Sequence, residues 1–113
     1  MNKPNVAMQK AIETEKQVLN IALYKKQAVS ILAEIDSKEF FIDSFRKIKM
    51  IIDSMIADNK SISLTSVYNE IMDKKLQEEY IQFAADPLII DPATAYDQFK
   101  KFHRLVNLQP KIE

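Results

Sequence analysis

The single histidine, His103, lies in the run QFKKFHRL at residues 98–105. The chain has no second histidine and no cysteine, so His103 lacks the companions that complete a zinc-type site. A structural or surface role is its expected place. Glu13 and Glu15 are two apart, and residues with that spacing do not share a helix face. They are poorly arranged for paired acid–base work. Glu78 and Glu79 are adjacent and read as solvated. The hydroxyls of Ser61, Ser63, Thr65 and Ser66 suit helix capping better than nucleophilic attack, which needs a base in fixed geometry. Lys100, Lys101, His103 and Arg104 interleave with Phe99 and Phe102, a pattern able to hold single strands by charge and stacking. Balanced overall charge favours the plainer reading, a helix with buried Phe and a solvated basic side. No active site is expected.

The elements that carry these residues are helical. After MNKPN, with Pro4 at a helix boundary, Met8, Ile12, Val18, Leu19, Ala22 and Leu23 line one broad face through about Tyr24. Lys25 to Gln27 interrupt it, and Ala28, Val29, Ile31, Leu32 and Ile35 belong to a second short helix. Asp36 or Ser37 can cap a turn that delivers Phe40 and Phe41, and Asp43 or Ser44 can cap the next helix. There Phe45, Ile48, Ile52, Met55 and Ile56 form the inner stripe, with Arg46, Lys47, Lys49 and Asp53 on the polar face. Asp58 and Asn59 are expected to do the turn work usually given to glycine. SISLTS is briefly extended ahead of a helix with Val67, Ile71 and Met72. KKLQEE is a polar approach to a helix with Tyr80, Ile81, Phe83 and Ala84. Two Asp-Pro steps in DPLIIDP disfavour helix. A last helix from Ala93 offers two neighbouring stripes, one of Tyr96, Phe99, His103 and Val106, the other starting at Phe102, Leu105 and Leu108. The methionines Met8, Met50, Met55 and Met72 read as core fillers. The fold class is all-α, with about six or seven mostly short helices.

Composition narrows the function. The 113 residues are one domain's worth, 47% hydrophobic and 28% charged, which suits a soluble globule. There is no glycine, where average usage would give about eight. Glycine lets backbone approach phosphate closely, so a Walker A loop is excluded and nucleotide hydrolysis would have to occur elsewhere. Sixteen basic residues offset sixteen acidic ones, against dedicated DNA binding. The absence of cysteine excludes disulfides and fits the cytoplasm. No apolar run nears the ~20 residues that cross a bilayer, and the start is no signal peptide.

Three separated pieces, and a fourth after them, resemble the N-terminal domain of the replicative DNA helicase (DnaB-type) family. ETEKQVLNIAL (13–23) is similar to its E-x-E-x-x-V-L-G-x-x-L helix, with Glu13, Glu15, Val18, Leu19 and Leu23 in place and Asn20 where the family has glycine. KEFFIDSFRKI (38–48) resembles the acidic-Phe-Tyr turn and the His-Arg-x-Ile helix after it. Phe40, Phe41, Arg46 and Ile48 match, while Phe45 replaces the histidine and Lys49 the following phenylalanine. SISLTSVYNEI (61–71) is similar to the Pro-Ile-Asp-x-Val-Thr-Val segment through Ile62, Ser66 and Val67, with Ser63 replacing the aspartate. PATAYDQFKKF (92–102) then resembles the small-residue, Ala-Tyr helix that follows the head. The likeness covers roughly residues 10–105 in order.

The resemblance implies a lead-in at 1–9, a compact helical head at 10–91 and the first helix of a truncated helical hairpin at 92–113. It implies a non-catalytic assembly and docking domain, with no catalytic, cofactor or metal residues. The ATP-driven motor would be a separate domain, and the chain a fragment or stand-alone relative. The implied partners are further copies of itself (dimer or hexamer), the C-terminal domain of primase or a helicase loader, with DNA reached only through the motor. Phe40, Phe41, Phe45 and Ile48 are the expected core plug. Tyr96, Phe99, Phe102, His103, Leu105 and Val106 are the expected subunit or partner face. The alternatives are the helicase-binding domain of primase, and a small phage or plasmid adaptor that imitates the head.

Overall fold

The computed structural model describes residues 6–108. The lead-in residues 1–5 and the stretch from Gln109, including Pro110, lie outside them. Among the described residues there are six α-helices: α1 (Val6–Tyr24), α2 (Lys26–Ala33), α3 (Asp43–Ala57), α4 (Leu64–Glu70), α5 (Lys74–Ala84) and α6 (Pro92–Leu108). One 3-10 turn spans Ser37–Glu39, and the protein is all-α. None of these helices is long and apolar enough to cross a membrane.

α1 is the central element. Ala11, Thr14 and Glu15 are buried, and so is every residue from Val18 to Leu23, so this end is covered on all sides rather than on one face. It packs against α6, α2, α5 and α3. The helix begins at Val6, inside the segment read as lead-in. α6 lies against it with Ala95, Phe99 and His103 turned inward, so the segment assigned to a hairpin shares the core of the head. Around α1 the core gathers Leu32, Ile35, Phe40, Phe45, Ile48, Ile52, Met55, Val67, Ile71, Tyr80, Ala84 and Phe99. Each large side chain of this kind contributes about 1.5–3 kcal/mol by leaving water.

The ends of the helices explain how a chain without glycine turns. Asn59 has φ 59°, the left-handed conformation that asparagine tolerates better than most residues. Its N–H donates to the Ile56 carbonyl and that of Lys60 to the Met55 carbonyl, closing α3 with the paired bonds of a Schellman motif. Asp36 caps the 3-10 turn in a capping box with Glu39, and Ser63 does the same for α4 with Ser66. Asp73 accepts the Leu76 N–H at 2.8 Å, so α5 begins at Lys74 and takes in the stretch read as a polar approach. Asp91 accepts the Thr94 N–H at 3.1 Å, with Pro92 preset for the first helical position.

Several expectations change. Asp43 and Ser44 lie inside α3, and its N-cap position is Ile42, which offers no side-chain acceptor. Lys49, assigned to the polar face, is only 1% exposed; its ammonium donates to Asp53 one helical turn on, which answers the charge that burial would otherwise strand. Met55 is in the core, but Met50 and Met72 are exposed. Met72 misses the core because α4 ends at Glu70 and only Ile71 turns inward.

Candidate functional site

The residues singled out in the sequence meet around one carboxylate. Glu15 occupies the inward stripe of α1 with Ala11, Val18 and Ala22, at helical spacing, and is completely buried. Its Oε2 accepts the Phe41 N–H at 2.7 Å and its Oε1 the Ile42 N–H at 3.2 Å. It thereby holds the backbone just ahead of α3, where no local side chain caps. The Phe40 carbonyl beside these amides accepts from Arg46 Nη2 at 2.8 Å. Glu13, the other acid of the pair, is exposed. The E-x-E spacing therefore places one acid inside and one outside.

Glu15 also meets α6. His103 Nε2 is 2.7 Å from Glu15 Oε2, and Nδ1 is 2.8 Å from the Phe99 carbonyl. A carbonyl only accepts, so Nδ1 carries a hydrogen. One further proton lies between Nε2 and Oε2 on that short line. The imidazole is enclosed by rings: Phe99 stacks on it at 3.8 Å and 17°, and Phe41 at 4.6 Å and 12°. Phe99 in turn meets Phe40 at 5.3 Å. The histidine, the two adjacent phenylalanines and α6 thus form a single cluster with every polar atom of Glu15 and His103 engaged. Glu15 is completely buried and His103 is 5% exposed. The cluster joins α1, α6 and the backbone ahead of α3.

Of the expected plug, Phe40, Phe45 and Ile48 are buried while Phe41 is half-buried. Phe45 meets Phe83 edge-on at 5.2 Å. Of the expected partner face, Phe99 and His103 are committed to the chain's own core and are not surface, which is a correction: the stripe at 95, 99 and 103 is the one that α1 covers. Val106 continues that line one turn beyond His103 and Tyr96 borders it, packed against the core, while Phe102 and Leu105 lie to its other side. Tyr96, Phe102 and Val106 are half-buried, and Leu105 is exposed, as is Leu108 beyond it. The basic residues share this outer side. Lys100 sits 4.4 Å over the Tyr96 ring and Lys101 5.5 Å from the Phe102 ring, so both aromatics already carry a cation.

A second polar system on α1 went unread in the sequence. Asn20 is completely buried. Its Nδ2 donates to the carbonyls of Phe83 and Asp86, each at 2.9 Å, and its Oδ1 accepts the Leu88 N–H at 3.0 Å. The Tyr24 hydroxyl points to the Ala84 and Ala85 carbonyls, and Lys25 Nζ donates to the Ile90 carbonyl at 3.3 Å. The segment joining α5 to α6 is therefore tied to α1 along its backbone. The available signals were an asparagine inside an apolar run and Glu15 on the apolar stripe.

Among the described residues no group of three or more His, Cys, Asp or Glu side chains is placed to hold a metal ion. A family model described as DnaB-like helicase N terminal domain matches residues 7–107. No curated protein and no solved structure matches the chain.

Proposed function

Because the chain belongs to the DnaB-like helicase N-terminal domain family, we propose that it is the non-catalytic assembly and docking domain of a replicative DNA helicase. It supports hexamer formation and receives the C-terminal domain of primase or a helicase loader during replication in the cytoplasm. ATP hydrolysis and strand separation belong to a motor domain, since a glycine-free sequence offers no phosphate-cradling loop.

The observation that carries this reading is the outer side of α6. The inner stripe is pinned by Phe99 and His103, while to one side of it Leu105 and Leu108 are exposed and Phe102 is half-buried. An amphipathic helix in a lone domain needs one apolar face; a second one suits a partner. Sedimentation equilibrium of the wild type and of Leu105→Asp tests assembly, and titration with a fluorescently labelled primase C-terminal domain tests docking. Wild type should associate with a dissociation constant in the range of about 10^-4 M, because the gain from a few side chains is mostly offset by association entropy. Leu105→Asp should weaken the association about tenfold or more. A wild type that neither associates at about 1 mM nor binds primase or loader would overturn the reading.

A further inference from the structure

The segment joining α5 to α6 combines two properties that rarely coincide. Its backbone is held by buried Asn20, by Tyr24 and by Lys25 through bonds to Phe83, Ala84, Asp86, Leu88 and Ile90. Yet Leu88 is 39% exposed and Ile89 fully exposed. A loop free to move could fold such side chains inward; this one presents them in a fixed place. Two carboxylates, exposed Asp86 and Asp91, bracket the pair. Asparagine is essential to the clamp, since glycine, the residue found at position 20 in the motif that this chain resembles, has no side chain to make these bonds.

Elsewhere on the surface lies a depression of about 350 Å³ with half-buried Val29, Ile56 and Ile62 among its lining. Lys26 and Lys60 are the charged residues of its wall, and no acid lines it. Lys60 also reaches Glu70 at 2.7 Å, on the exposed side. A depression of that size has room for both aliphatic side chains of the tip, and a pair of carboxylates beside it would meet the two ammonium groups.

We infer that the Leu88–Ile89 tip of one chain seats in the Val29–Ile56–Ile62 depression of a second copy, with Asp86 and Asp91 facing Lys26 and Lys60. The inference rests on reading the chain as an assembly domain, but it places a contact apart from the outer side of α6. Fixing the loop beforehand removes ordering entropy that association would otherwise have to overcome. So small a contact is weak by itself and gains strength only beside another one.

The test is run in the Leu105→Asp background, where the α6 face is weakened. Backbone amide NMR spectra are compared between about 0.05 and 1 mM, the range in which weak contacts of this size become populated. Concentration-dependent shifts are expected at residues 88–91 and at Val29, Ile56 and Ile62. Ile89→Asp, at a fully exposed position, should remove both sets without unfolding the chain. Lys26→Glu should weaken the contact roughly tenfold. Adding Asp86→Lys to Lys26→Glu should recover most of that loss by restoring opposite charges. Unmoved amides at either patch, or shifts that persist in Ile89→Asp, would overturn the contact. Association abolished by Leu105→Asp alone would leave the α6 reading standing and refute this one.

Discussion

Glu15→Ala should be among the most damaging single changes in the chain. The carboxylate is fully buried and serves three partners: the Phe41 and Ile42 amides at 2.7 and 3.2 Å and His103 Nε2 at 2.7 Å. Alanine leaves two backbone donors and a ring nitrogen without partners in a site too enclosed for easy rehydration. An orphaned buried donor costs about 1–3 kcal/mol, and loss of one member of a buried pair about 3–5 kcal/mol. Because these costs overlap, the expected loss is about 4–5 kcal/mol, a large share of the ~5–15 kcal/mol of a typical domain. Glu15→Gln should be milder. Its amide oxygen can keep one backbone N–H, and its NH2 can donate to Nε2 of a histidine whose proton is on Nδ1. One donor is orphaned, at about 1–3 kcal/mol. Glu13→Ala, at an exposed position, should stay within about 0.5 kcal/mol. Urea unfolding followed by far-UV circular dichroism gives all three values, with a common slope as the check on two-state behaviour. The reasoning fails if Glu15→Ala costs under about 1 kcal/mol, or if Glu13→Ala costs as much as Glu15→Ala.

Phe40→Ala should cost about 3–5 kcal/mol in the same assay, as truncation of a fully buried ring does, and a loss under about 1 kcal/mol would show that the ring is not in the core. Asn20→Gly should cost about 2–4 kcal/mol, combining helix-interior glycine with the orphaned Leu88 amide; hydrogen exchange at Leu88 should accelerate far more than at Ile52, and equal acceleration would count against a local clamp. Burial, with a smaller effect of Tyr24, raises the pKa of the Tyr80 hydroxyl well above its ordinary value, and the protonated hydroxyl donates to the Leu64 carbonyl at 2.8 Å. A raised folded-state value favours the protonated form, so the contribution is complete below the ordinary tyrosine value of about 10 and lost as pH rises beyond it. Urea midpoints of wild type should fall more steeply than those of Tyr80→Phe above about pH 10, and parallel curves would refute the assignment.

Much of the fold was legible because it is local. The 3.6-residue spacing of Phe45, Ile48, Ile52 and Met55 depends only on α3 itself, and the turn at Asn59 depends only on which residues tolerate positive φ. The family likewise follows from short motifs in order, and the lack of glycine excludes a phosphate loop whatever the packing. Other features could not be read from periodicity alone. Whether Lys49 faces water or the core depends on what lies against α3. Whether the inner side of α6 is the stripe through Phe99 and His103 or the one through Phe102 and Leu105 is decided by α1, which covers the first and leaves the second open. His103 had no visible partner because Glu15 lies 88 residues away, and only packing α6 on α1 brings the two within 2.7 Å. The same holds for Asn20 and the segment at 83–88. Sequence determined the helices and the family, since both arise from neighbours along the chain; tertiary structure decided which polar groups are buried, because a buried polar group survives only where a distant segment supplies its hydrogen bonds.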